Sequence, residues 1–163
     1  MVLGLSLPAF TLVHVIISLI AIVSGLIVMF GLLGSKPMPG LTAIFLLFTI
    51  LTSATGFLFP FKELLPSHMI GILSLVLLAI ACFALYSQKL SGMWRWVYVV
   101  TALVSLYLNC FVLVIQSFLK IPVLTALAPG NPPSGPVFGV VQLIVLAFFV
   151  LMTFRAVKRF HPA

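Results

Sequence analysis

The sequence predicts an all-α polytopic membrane protein, a bundle of five transmembrane helices with the N-terminus outside and the C-terminus in the cytoplasm. Three observations carry that expectation. Of the 163 residues, 64% are hydrophobic and only 6% are charged, whereas a soluble domain carries about 25% charged residues. The apolar residues form five runs, each close to or above the roughly 20 residues that a helix needs to cross a bilayer. The cations collect at the ends of those runs, mostly on one side.

The first run extends from about Pro8 to Leu33 and stops at Gly34-Ser35-Lys36-Pro37. Met1 to Pro8 lacks a positive n-region, and no small-residue cleavage site follows, so the run reads as a retained helix and not as a signal peptide. The second run, about Leu41 to Phe59, ends at Pro60. Pro66 opens the third, in the first-turn position that proline tolerates, and the run continues to about Tyr86. The fourth covers Trp94 to about Leu119, and the fifth covers Val137 to Phe154 before Arg155, Lys158 and Arg159. Together they make a single membrane domain.

Between the last two runs lies IPVLTALAPGNPPSGP, residues 121–136. Its prolines and glycines prevent one regular element over the whole length. Val123 to Ala128 is apolar enough to lie along the outer interface. A loop of this length is uncommon without a purpose, and it reads as a tether or as a lid over an outward-facing pocket. No internal repeat is evident, which weakens an inverted-repeat transporter reading.

Orientation follows from the cations. Lys36, Lys89, Arg95, Arg155, Lys158 and Arg159 share one side, while Lys62 and Lys120 share the other with Glu63, the sole acid. The side rich in Lys and Arg is expected in the cytoplasm, with Trp94, Trp96 and Tyr98 in an inner interfacial belt. The net charge of +7 does not indicate a nucleic-acid partner, because that needs cations gathered on one face with stacking aromatics. The expected partner is the lipid bilayer, with a further membrane protein as an option.

Several chemistries are excluded by composition. With no Asp and one Glu, there is no carboxylate pair for glycoside or peptide hydrolysis and no Ser-His-Asp triad. Cys82 and Cys110 lack the spacing of a redox or zinc motif, and glycine-rich phosphate loops are missing.

Polar residues inside a membrane are costly unless they find a partner or water, so their placement is informative. Stripes at helical spacing place His14, Ser18, Ala21 and Gly25 together, then Thr49, Thr52, Ser53 and Gly56, then His68, Gly71 and Cys82. The fourth span carries Tyr98, Thr101, Ser105, Asn109 and Gln116, and the fifth carries Gln142. Ser18, Thr49, Thr52, Ser53, Thr101 and Ser105 are expected to act as packing glue between helices. In an alternating topology, His14, Thr52, Ser53, Thr55, His68, Asn109, Gln116 and Gln142 all fall in the outer half, which predicts an outward-opening polar pocket.

His14 and His68 sit on parallel helices near their outer ends. If Pro8 and Pro66 are level, their depths differ by roughly 6 Å at 1.5 Å per residue, which an ordinary helix tilt absorbs. Three readings stand. One ring lies at the headgroups while the other bonds a neighbouring helix. The pair binds a quinone or another small ligand, since an intramembrane ionisable group is a functional candidate by default. Or the pair ligates a b-type haem iron, their only metal role, with Lys62 and Lys120 meeting the propionates. In the second reading Asn109, Gln116 and Gln142 supply hydrogen bonds. His161, in the tail, carries no role.

TSATGFLFPF (52–61), LPSHMIGILSL (65–75), MWRWVYVVTA (93–102) and LYLNCFVLVIQSFLKIP (106–122) resemble a group of small five-span bacterial inner-membrane proteins to which no activity is attached. The resemblance covers nearly the whole chain and implies a multi-pass protein of the bacterial inner membrane. These segments include His68, Asn109, Gln116 and Lys120. The leading expectation is thus a binder of a cofactor or small ligand, of haem or quinone type, in the outer half of the bundle. The alternative is a non-catalytic accessory or scaffold subunit of a larger membrane complex. A passive conduit is disfavoured by the apolar inner half, which leaves no polar path across.

Overall fold

The computed structural model describes residues 4–58, 66–130 and 133–161. Its elements are α1 (Leu7–Leu33), α2 (Pro39–Gly56), α3 (Pro66–Cys82), α4 (Trp94–Lys120), α5 (Pro122–Leu127) and α6 (Pro136–Arg159). No β-strand occurs among the described residues. Five helical segments are long and apolar enough to cross a membrane: α1, α2, α3 with its extension to Ser87, α4 and α6.

Local chemistry explains the boundaries. Ser6 caps α1 by accepting from the Ala9 amide at 3.4 Å, ahead of Pro8 in the first turn. At the other end the Lys36 amide returns to the Gly31 carbonyl at 2.7 Å. A Cβ at Gly31 would press on the Lys36 carbonyl at 3.2 Å and displace the Met38 side chain, where the chain turns into α2. α3 passes into a π turn, Phe83–Ser87, closed by the Gln88 amide on the Phe83 carbonyl at 3.0 Å. Positive φ at Lys89, Leu90 and Gly92 then turns the chain sharply into α4.

Two boundaries differ from expectation. α2 spans Pro39–Gly56 and so starts and stops ahead of the expected run. α6 continues to Arg159, past Phe154. Lys158 and Arg159 occupy its last turn, where cations complement the negative end of the helix dipole. Arg95 Nη1 donates to the carbonyls of Val157 (2.6 Å) and Phe160 (2.8 Å), satisfying backbone acceptors at that end. In the long connection, Pro122–Leu127 is a short helix, folded back so that Thr125 Oγ1 donates to the Phe118 carbonyl at 2.8 Å.

α1, α2, α3 and α4 pack in a ring, each against the next, with α4 returning to α1. α6 lies outside that ring, against α4 and to a lesser extent α1. Cross-links mark the two ends. At one end His14 meets Thr55; at the other the His161 amide donates to Ser35 Oγ at 2.9 Å.

The core occupies one half of the bundle. Val28, Met29 and Leu32 of α1 pack with Phe45 and Leu46 of α2, Leu78 and Ala81 of α3, and Val99, Ala102, Leu103 and Leu106 of α4. These positions lie towards the end that carries Ser35 and His161. Tyr98 belongs to this core at 1% exposure, a correction to its expected place in an interfacial belt. It packs against Phe160 with ring centroids 6.2 Å apart, whereas Trp96 is exposed. The outward faces are apolar: Val23, Phe30, Leu47, Val76, Ile144 and Val150 are all exposed, as suits contact with lipid.

The hydroxyl stripes work differently from expectation. Ser18, Thr49, Thr52, Thr101 and Ser105 donate to carbonyls three or four residues earlier in their own helices. Such back-bonding satisfies the hydroxyl without linking helices. Their contribution to helix packing is therefore small size, not hydrogen bonds across the interface.

Candidate functional site

The other half of the ring encloses a cavity of about 570 Å³, bounded by α1, α2, α3 and α4. Its floor lies near Ile22. Just below, Gly25 lets the helices close in: a Cβ there would lie 2.7 Å from Leu106 Cδ1 and 2.8 Å from the Phe45 ring. The cavity walls continue past this crossing to Thr11 on α1 and to Lys120 and Ile121 at the end of α4.

His14 and His68 both line this space, from α1 and α3. The Nδ1 atom of His14 lies 2.7 Å from Thr55 Oγ1. That hydroxyl has a single proton, which it donates to the Leu51 carbonyl at 2.6 Å. With that proton on the carbonyl, Nδ1–H is the donor to Thr55, and the bond fixes the His14 ring in the chamber wall.

His68 is buried, at 6% exposure. Its ring packs against Phe57, with centroids 5.6 Å apart and planes tilted by 35°. Phe57 reaches that position because Gly71 of α3 has no side chain, since a Cβ would meet the Phe57 ring at 3.0 Å. Ser53 and Ser74, both buried, complete the lining on α2 and α3.

On α4, Asn109, Gln116 and Lys120 line the same cavity. Gln116 and Lys120 are exposed. Asn109 is half-buried, and its Nδ2 atom is enclosed without a hydrogen-bond partner. An enclosed donor left unpaired costs about 1–3 kcal/mol, so this amide is primed for an acceptor.

Gln142 does not join the cavity. It sits on α6, outside the ring, where Nε2 donates to the Phe111 carbonyl at 3.3 Å and Oε1 is enclosed without a partner. α6 packs on the outer side of α4, so equal depth in the membrane does not bring Gln142 to the chamber. Lys62 lies outside the described residues.

Phe57, Gly71, Thr55 and Ser74 contribute more than the sequence suggested. Gly71 stood on the stripe of His68, and Thr55 among the polar residues of the outer half, but nothing marked the Phe57–His68 contact.

Asn109 Nδ2 and the Lys120 ammonium are the donors that this lining offers to an acceptor-bearing ligand, and Glu63, the one acidic side chain of the sequence, lies outside the described residues. Among the described residues, no group of three or more His, Cys, Asp or Glu side chains comes together. No protein-family model matches this chain, and no curated protein or solved structure matches it either, so the chemistry of the cavity is read from its own lining residues.

Proposed function

We propose that this chain is a multi-pass membrane protein of the bacterial inner-membrane type that binds a small quinone-type ligand in the chamber between His14 and His68. In this reading the N-terminus is exported, the cation-rich end is cytoplasmic, and the chamber opens towards the outer face. One observation carries the proposal: a cavity of about 570 Å³, within the range of small-molecule sites, combines apolar walls with convergent hydrogen-bonding groups. Two carbonyl oxygens on an apolar ring suit that lining. Asn109 Nδ2 and the Lys120 ammonium are donors to those oxygens, and His14 and His68 flank the ring.

A second reading has its own support. His14 and His68 line the same chamber from α1 and α3, and two imidazoles on facing helices are what a b-type haem iron takes as its ligands. Haem would supply one-electron transfer.

Both readings are tested on protein purified into lipid nanodiscs. A decyl-substituted benzoquinone at 100 times its Kd should stabilise the fold by about 2.7 kcal/mol. Asn109→Leu should weaken binding by about tenfold, or roughly 1.4 kcal/mol. No stabilisation at any soluble concentration overturns the quinone reading. Expression with haem supplied decides the other, which falls if the purified protein shows no Soret absorbance.

A further inference from the structure

We infer that the ligand is a tailed molecule of the lipid phase, whose head enters sideways between α1 and α4 and whose apolar chain lies across Leu19 in a groove between α1 and α2. The inference rests on the binding proposal above and specifies the class of ligand.

The cavity wall is incomplete on one side. Val15, Leu19 and Leu113 line it, yet they are 36%, 43% and 38% exposed. A residue that faces both a cavity and the exterior marks an opening. Leu19 lies roughly 18 Å along α1 from its first residue, at 1.5 Å per residue, which is well within a hydrocarbon layer of about 30 Å. An opening at that depth, edged by Val, Leu and Leu, faces acyl chains and not water. A ligand already dissolved in the bilayer reaches the chamber there without crossing the polar rim at Lys120.

A second concavity begins where the first opens. It is lined by Leu19, Ile20, Val23 and Ile27 of α1 with Leu41 and Ile44 of α2. Ser24 also borders it, but its hydroxyl is turned to the Ile20 carbonyl at 2.7 Å and the Ala21 carbonyl at 3.1 Å. The groove therefore presents no polar group that needs a partner. From Leu19 to Ile27 it follows α1 for roughly 12 Å, away from the chamber and into the opposite half of the bundle. Leu19 belongs to both concavities. One molecule with a hydrogen-bonding head and a flexible apolar chain fills both, whereas a compact ligand leaves the groove to lipid.

The test locates the chain directly. The nanodisc protein is incubated with a benzoquinone that carries a photoactivatable diazirine at the end of a decyl chain, then irradiated and mapped by mass spectrometry. Labels are expected on Ile20–Ile27 and Leu41–Ile44. An excess of untailed benzoquinone, competing for the head site, should reduce them by about tenfold (1.4 kcal/mol). Leu19→Trp, at an exposed position that does not hold the core, should lower the same labels by a similar factor, while Leu143→Trp on α6 should not. Labels spread over α6 and α3 that the untailed quinone does not displace overturn the inference. If the untailed quinone still stabilises the protein in that case, the head site stands. If neither compound binds, both proposals fall.

Discussion

The same substitution, Gly to Ala, should have opposite effects at two positions of this bundle. At Gly139 in α6, nothing lies within 4 Å of an added Cβ, so only intrinsic preference acts. Alanine there should stabilise by about 0.5–1 kcal/mol, the amount by which helical glycine is inferior. At Gly25 in α1 the same gain in preference is present, but the Cβ would stand 2.7 Å from Leu106 Cδ1 and 2.8 Å from two atoms of the Phe45 ring. Leu106 and Phe45 are both at 0% exposure, so neither has room to withdraw. Overpacking a filled core costs about 1–3 kcal/mol, and Gly25→Ala should therefore destabilise by about 1 kcal/mol net. The two variants should differ by about 2 kcal/mol, in a direction that helix preference alone does not give. Unfolding in mixed micelles, titrated with a denaturing detergent and followed by far-ultraviolet circular dichroism, measures both. A Gly25→Ala protein as stable as Gly139→Ala would refute the claim that α1 and α4 close tightly beneath the chamber.

Other predictions concern the site and its supports. Thr55→Val removes the acceptor that fixes His14 and should reduce quinone affinity by about five- to tenfold, the worth of one hydrogen bond; Thr55→Ser should restore it, and equal affinity in both variants counts against the tautomer argument. Asn109→Leu, besides weakening the ligand, should raise the stability of the unliganded protein by about 1–2 kcal/mol by removing an enclosed unpaired donor, and a destabilised variant would show that the amide is already satisfied. Arg95→Ala should cost about 1–2 kcal/mol, since two charge-assisted bonds to the end of α6 are lost. Amide exchange at Val157–Phe160 should then accelerate, and unchanged protection there would mean that α6 holds its end without Arg95.

Helix number and approximate limits were legible because bilayer thickness sets the length of an apolar run, and prolines such as Pro8 and Pro66 mark the starts. The gathering of His14, His68, Asn109, Gln116 and Lys120 was also legible, since alternating direction converts sequence position into depth. Depth is one coordinate only. Nothing in the sequence says whether a residue at the right depth faces the centre of the ring or the outside, and Gln142 has the depth of the site on a helix outside it. The hydroxyls deceived for a related reason. A serine or threonine in a helix always has a carbonyl within reach on its own preceding turn, so a stripe such as Thr101 and Ser105 carries no information about neighbouring helices. Tyr98 lies near the start of α4, as a belt residue would, and yet is buried, because α6 runs on to Phe160 and covers it. Arg95 bonds the end of that extension, a long-range contact with no local signature.

The lining of the chamber argues for what it holds. Its space of about 570 Å³ is open past Val15, Leu19 and Leu113, so water, lipid or a ligand can enter it. Water would satisfy Asn109, Gln116 and Ser53 but would wet Val15, Leu19, Ile22, Ile70 and Val112. An acyl chain would suit those walls and leave the enclosed Asn109 amide facing hydrocarbon, at about 1–3 kcal/mol. Only an occupant that is polar at one end and apolar along its body meets both demands at once. The distribution of the lining follows the same division, with hydrogen-bonding groups converging from α1, α3 and α4 and the exposed apolar residues lining the side that opens into the membrane.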